Sequence, residues 1–170
     1  MIYGIGVDIV KIDRMKNWLK DPHLISRFFC DEEMHSGDKE FHGVKNFSSD
    51  GNSSGGEKSH RSGEGCASKD GDLRSENYLC RYYAVRFAAK EAFSKALGTG
   101  ITGFALKDVF IKKNEEGKPF LCVRGKALDL LKKRCKNAEI FVTLSHEADY
   151  AVAFVVIEKR RNDDSVQKQA

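Results

Sequence analysis

The sequence predicts an α+β domain, with one long helix packed on a small, mostly antiparallel sheet. Three observations predict it. The chain opens on an alternating stretch, MIYGIGVDIV. A helical run with alanine at positions 84, 88, 92 and 96 fills the centre, and four short strand-like runs follow, joined mostly by turn signals. Strands grouped apart from the helices, rather than alternating with them, give an α+β protein and not a doubly wound sheet.

Residues 2–10 place Tyr3, Ile5, Val7 and Ile9 on one face and Gly4, Gly6 and Asp8 on the other, the pattern of a half-buried strand with one hydrophobic face. The second face is nearly bare of side chains and ends in one carboxylate, leaving room for a ligand. Ile12 to about Leu19 reads as a short helix ended near Pro22, and Leu24–Met34 as a further helical segment. Residues 36–76 hold nine Ser and eight Gly, with Phe41, Val44, Phe47 and Leu73 as their larger apolar side chains. Such a stretch buries too little surface to offset its ordering entropy, and a flexible insertion, dispensable to the core, is expected there.

A strong helical signal runs from about Asn77 to Leu97 and stops at Gly98, a natural C-terminal cap. Its alanines form a smooth ridge on which another backbone can pack closely. Asp108–Lys113 and Pro119–Val123 read as a hairpin around the turn Asn-Glu-Glu-Gly, residues 125–135 as a helix, and Glu139–Leu144 and Tyr150–Ile157 as two strands joined through SHEAD. The organisation is therefore one domain over 1–158, interrupted by the 36–76 insertion, with a polar tail at 159–170 expected to fray.

Composition narrows the classes of function. The net charge of +4 admits an anionic partner, yet no nucleic-acid motif accompanies it. No apolar run approaches the ~18 residues of a membrane span, and the N-terminus lacks a basic leader and carries Asp8, against a signal peptide. Five cysteines without a CxxC pair argue against a disulfide framework or zinc knuckle and fit a cytoplasmic protein.

The stretch RFAAKEAFSKALGTG concentrates the candidate chemistry. At 100° per residue its alanines share one arc, while Arg86, Lys90, Glu91, Ser94 and Lys95 occupy the other half. From the helix alone, Glu91 and Lys95 read as a surface ion pair. Asp8 changes that reading, because a carboxylate within an apolar strand needs a metal, a cation or a capping hydrogen bond. Two carboxylates from different elements beside lysines make a magnesium–phosphate site, with Lys95 able to neutralise a phosphate. Gly98-Thr-Gly100 either offers backbone N–H groups to the same anion or simply stops the helix. His146 ends a strand and, taken alone, is as well explained structurally. Arg14, Lys16 and Lys20 crowd a helix that also carries Trp18, a surface suited to an acidic helix of a partner, or else a solvated face over a core tryptophan.

Taken together, GIGVDIV followed by Arg14, RFAAKEAFSKALGTGI, the Gly117-Lys-Pro119 turn and SHEADYAVAFVV resemble the small bacterial 4′-phosphopantetheinyl transferases, the holo-[acyl-carrier-protein] synthases. The resemblance covers about residues 1–34 and 77–158 and implies that family's fold. It implies transfer of the phosphopantetheine arm of coenzyme A to a serine of apo acyl carrier protein, releasing adenosine 3′,5′-bisphosphate, in support of fatty acid biosynthesis. Asp8 and Glu91 match the family's Mg²⁺ ligands and Lys95 its pyrophosphate-contacting lysine. Arg86, Lys90 and His146 match positions around the coenzyme A pocket, for which Gly98 is a further candidate through its backbone N–H, and Arg14 with Trp18 match the surface that receives the carrier protein. The general base is left open between Glu91, Asp8 and a water on the metal. A homotrimer with sites at subunit interfaces is implied as well. Two features depart from the family pattern: the 36–76 insertion, and Val85 where the family commonly has Gly. A non-catalytic α+β module and a transferase serving polyketide or peptide-synthase carriers are the competing readings. The latter enzymes resemble a fused pair of such units, about twice as long.

Overall fold

In the computed structural model, which describes residues 1–34 and 69–161, the chain begins with strand β1 (Ile2–Lys11). Two short helices follow, α1 (Arg14–Leu19) and α2 (Pro22–Phe28), then a 3-10 turn at Asp31–Glu33. The central helix α3 (Lys69–Leu97) leads to a hairpin of β2 (Val109–Lys113) and β3 (Pro119–Val123), helix α4 (Gly125–Arg134), and a second hairpin of β4 (Ala138–Glu147) and β5 (Tyr150–Lys159). Residues 36–68 of the Ser/Gly-rich segment, and the tail beyond 161, lie outside the described residues.

The strands form two antiparallel sheets, β1-β5-β4 and β2-β3, rather than one. In the larger sheet Asp8 stands opposite Ala153, and Ala153 opposite Leu144. Helix α3 lies across its inner face, where Ala151, Ala153, Val155 and Ile157 of β5 are fully buried. The approach of α3 to β1 is closer than any side chain would allow: a Cβ on Gly4 would lie 2.0 Å from the Ala96 carbonyl oxygen, and one on Gly6 1.9 Å from that of Ala92. The alanine ridge and the strand glycines therefore serve one contact, backbone against backbone.

That contact reverses one expectation for β1. The bare glycine face is filled by α3, not by a ligand. The apolar face points outward, with Ile5, Val7 and Ile9 each more than half exposed. Bulky side chains cannot enter where two backbones touch, so they take the opposite face, and Phe154 and Phe141 of the neighbouring strands join them there.

Other boundaries moved for local reasons. Pro22 opens α2 instead of ending α1, since its missing N–H costs nothing in a first turn; Asp21 caps that turn by accepting from the His23 N–H at 2.9 Å. The expected Leu24–Met34 helix divides at Phe29 and Cys30, whose buried side chains turn the chain into the core. Helix α3 begins at Lys69, eight residues ahead of its expected start, as each residue added to an existing helix gains a hydrogen bond.

Candidate functional site

The sheet–helix contact brings three of the sequence candidates together. Asp8 sits on the inner face of β1, beside the α3 turn that carries Glu91 and Lys95. The Lys95 ammonium donates to Asp8 Oδ1 at 2.8 Å and to the Val7 carbonyl at 2.9 Å. Lys95 thus turns toward the strand. Burial, and after it the charge of Asp8, push the Glu91 carboxyl above its usual range, while Lys95 and Arg14 oppose the rise. Two carboxylates close enough to repel each other, beside a partly exposed lysine, make a site that favours a bound cation.

Among the described residues no three His, Cys, Asp or Glu side chains gather as a metal cage. The Asp8–Glu91 pair has a different character: two hard oxygen donors from two rigid elements, both only partly buried. Mg²⁺ is commonly held by one or two carboxylates and completes its shell with water and phosphate oxygens. The donor set fits that ion.

A second group of candidates lies elsewhere. Arg86 and His146 line a groove of about 370 Å³ walled by α3, β4 and the β2–β3 turn, with Val85, Lys113 and Pro119 among its other residues. Neither Asp8 nor Glu91 nor Lys95 lines it. Arg86 and Glu91 are five residues apart, about 140° around the helix, and the two clusters accordingly face different directions. The Arg86 guanidinium is 8% exposed and stacks on Tyr82, its Cζ 3.4 Å from the ring centroid, while Nη1 donates to the Tyr82 carbonyl at 3.1 Å. Its buried Nε has no hydrogen-bond partner among the described residues. A donor desolvated and unpaired is costly unless an acceptor arrives.

Lys90 does not line the groove. It is fully buried, one turn from Arg86, and its ammonium donates to Glu33 Oε2 and to the Val109 carbonyl, each at 2.5 Å. Burial pulls it below the usual lysine range, against the opposing pull of Glu33. Glu33 was missed from sequence because it ends an acidic triplet, Asp31-Glu32-Glu33, that reads as solvated. The available signal was Lys90 itself, flanked on its helix face by Phe87 and Ser94, the latter also buried. The polar half of α3 is largely interior, since the Cys30–Met34 segment and β2 cover it.

Gly98 stands at the end of α3 in the left-handed region, φ 75°, its N–H donating to the Ser94 and Lys95 carbonyls. Arg134 donates to the Leu97 and Gly98 carbonyls and completes that cap. Arg14 is exposed on α1 and lies over Trp18 and Phe87, 5.5 and 5.7 Å from their ring centroids. Trp18 is half-buried, stacked on Phe28 at 4.8 Å. Arg14 is also near enough to Glu91 to stabilise its charge, which sets the basic surface of α1 beside the carboxylate pair.

Comparison with known proteins gives this arrangement a family. The family model described as the 4′-phosphopantetheinyl transferase superfamily matches residues 57–155. The chain is 37% identical over 158 residues to the holo-[acyl-carrier-protein] synthase of Treponema denticola, covering 93% of this chain and 99% of that one. It is similar in structure to the holo-[acyl-carrier-protein] synthase of Neisseria meningitidis, with a TM-score of 0.62 at 28% identity over 94% of this chain and 100% of that one. The holo-(acyl-carrier-protein) synthase of Bacillus anthracis in complex with CoA (3′,5′-ADP) gives 0.58 at 26% identity, over 94% and 99%. Sequence and fold agree, and the chain belongs to the holo-[acyl-carrier-protein] synthase family of 4′-phosphopantetheinyl transferases, a family of enzymes.

Proposed function

We propose that this protein transfers 4′-phosphopantetheine from coenzyme A to a serine of apo acyl carrier protein, depends on Mg²⁺, acts in the cytoplasm and serves fatty acid biosynthesis. The observation that carries the reading is the Asp8–Glu91–Lys95 cluster, held together by the backbone contact of Gly4 and Gly6 with α3. In the reaction the serine oxygen bonds the phosphorus next to pantetheine and the bridging P–O bond breaks. The bridging oxygen leaves on adenosine 3′,5′-bisphosphate, and the serine proton passes to a base. Asp8 and Glu91 would hold the Mg²⁺, which supplies charge neutralisation for the pyrophosphate.

The chain's own residues account for the remaining requirements. Lys95, half exposed and tethered to Asp8, offers its ammonium to the departing phosphate. Glu91, beside Asp8 and within reach of the charge of Arg14 on the carrier-binding surface, is placed to accept a proton from the incoming hydroxyl, directly or through a water. Arg86, with an unpaired Nε, and His146 across the groove offer cationic and polar contacts to the nucleotide end of coenzyme A. Arg14, with Trp18 beneath it, offers an acidic carrier helix a charge and an apolar anchor beside the reacting centre.

Two facts support a homotrimer with shared sites. The carboxylate cluster and the Arg86 groove face different directions within one chain, so a substrate spanning both needs a second copy to bring them together. The outer face of the β1-β5-β4 sheet exposes Ile5, Val7, Ile9, Phe141 and Phe154 as one patch, of the kind that marks an interface.

The test is incubation with coenzyme A, Mg²⁺ and apo carrier proteins of fatty acid, polyketide and peptide synthases, with mass spectrometry of the carrier. Phosphopantetheine addition to the fatty acid carrier is expected. Addition to none refutes the activity, and addition only to the others refutes the assigned pathway.

A further inference from the structure

Two cations enter the interior side by side on α3, and one anion meets them. Arg86 is 8% exposed, while Lys90 and Glu33 are 0% exposed. Both oxygens of the Glu33 carboxylate are occupied. Oε2 accepts from Lys90 Nζ at 2.5 Å and from the Cys30 thiol at 3.7 Å, and Oε1 accepts from the Ile111 N–H at 3.2 Å. Arg86 makes no hydrogen bond to the Glu33 carboxylate among the described residues: it feels that charge at longer range and meets the residue through Tyr82, whose hydroxyl donates to the Glu33 main-chain carbonyl at 2.9 Å and whose ring lies under the guanidinium. The Arg86 Nε is left without a partner among the described residues.

This distribution is not the one two buried cations and a carboxylate reach by default. A guanidinium pairs with a carboxylate through two parallel hydrogen bonds, a stronger match than a single ammonium contact. An arginine so paired is a poor receptor for a ligand, because the ligand must first displace the internal anion. Here Lys90 occupies that carboxylate instead. It shares its charge between Glu33 and the Val109 carbonyl, and the N–H of Ile111, a residue of the groove wall, holds the second carboxylate oxygen.

We propose that Lys90 is a positioning residue: by holding the Glu33 carboxylate it keeps the Arg86 guanidinium free of an internal carboxylate and available to a phosphate of coenzyme A in the groove. The inference rests on the reading of that groove as the nucleotide site. Lys90 touches no ligand in this account, and its effect passes through Glu33 and Arg86.

The experiment measures equilibrium binding of coenzyme A to the full chain without carrier protein, together with KM and kcat for transfer. Lys90→Met releases the Glu33 carboxylate toward Arg86, and Kd and KM for coenzyme A should rise by about tenfold or more while kcat falls less than about threefold. Glu33→Gln added to Lys90→Met removes the competing anion and should restore binding to within about threefold of the wild type. A purely structural role predicts the opposite, a double variant no better than the single one. If Lys90→Met does not fold, Lys90→Gln keeps a polar side chain in the interior while removing the charge that holds Glu33, and the same loss and the same rescue are expected of it. Arg86→Ala sets the floor for binding. A wild-type chain that binds no coenzyme A, or an Arg86→Ala that binds as well as wild type, refutes the groove reading itself. A weak Arg86→Ala beside a Lys90 variant that binds like wild type, or a double variant that is not rescued, overturns this inference alone.

Discussion

Replacing Gly6 with alanine adds one methyl group at the contact on which both the fold and the carboxylate cluster depend. The new Cβ would stand 1.9 Å from the Ala92 carbonyl oxygen and 2.7 Å from the Ala96 nitrogen. Both are helix backbone atoms, so no rotamer can relieve the overlap, and β1 must part from α3 by about 1 Å or more. A gap of that size forfeits roughly a quarter to a half of the dispersion energy along the contact. Overpacking of a core costs about 1–3 kcal/mol; with rigid atoms on both sides the upper end applies, and about 3 kcal/mol lowers the melting temperature by about 6–12 °C. The same displacement carries Asp8 away from Glu91 and Lys95, and a misplacement of about 1 Å costs on the order of a hundredfold in rate. Thermal denaturation followed by circular dichroism and the phosphopantetheine transfer assay measure the two effects. Gly103→Ala is the control. Its φ of 93° strains any side chain, but the nearest atom is the flexible Leu130 Cδ1 at 3.2 Å, so it should cost about 1–2 kcal/mol and leave transfer intact. A Gly6→Ala protein melting within about 2 °C of wild type would refute the backbone contact as the organising element.

Glu91→Gln should lose about a hundredfold or more in transfer while remaining folded, and near-wild-type turnover at saturating Mg²⁺ would sink its assigned role. Because Glu91 titrates above its ordinary value of 4.5, the folded chain retains a proton that the unfolded chain has released, and stability falls as pH rises from 4.5 through the raised value. At neutral pH, without metal, Glu91→Gln should therefore melt above wild type, and Mg²⁺ should raise the melting temperature of wild type only; a Mg²⁺ shift of equal size in both proteins contradicts the ligand assignment. Phe154→Glu places a charge in the middle of the exposed sheet face, and light scattering after gel filtration should read one chain of 19.1 kDa where wild type reads a trimer, with transfer lost alongside; an unchanged mass removes that face as the interface. Ala148 turns the β4–β5 hairpin at φ 45°, so Ala148→Gly should gain about 0.5–1 kcal/mol, or about 1–4 °C, and a lower melting temperature would show that the turn carries no strain.

Periodicity was enough for the parts of this protein that local chemistry dictates. Alternation marked β1, the four-residue spacing of alanines marked the packing ridge of α3, and Gly98 marked its end. The order of Asp8, Glu91 and Lys95 along the chain carried the family. What the sequence could not give was direction. An alternating strand reads the same whichever face is buried, and only the backbone contact of Gly4 and Gly6 with Ala92 and Ala96 turned Ile5, Val7 and Ile9 outward. Helical spacing likewise separated the polar half of α3 from the apolar half without revealing that the polar half is roofed over. Glu33, brought to Lys90 from 57 residues away, and the division of the candidates into a carboxylate cluster and an arginine groove were decided by tertiary structure. Burial and long-range pairing depend on which surfaces meet, and no window of neighbouring residues contains that information.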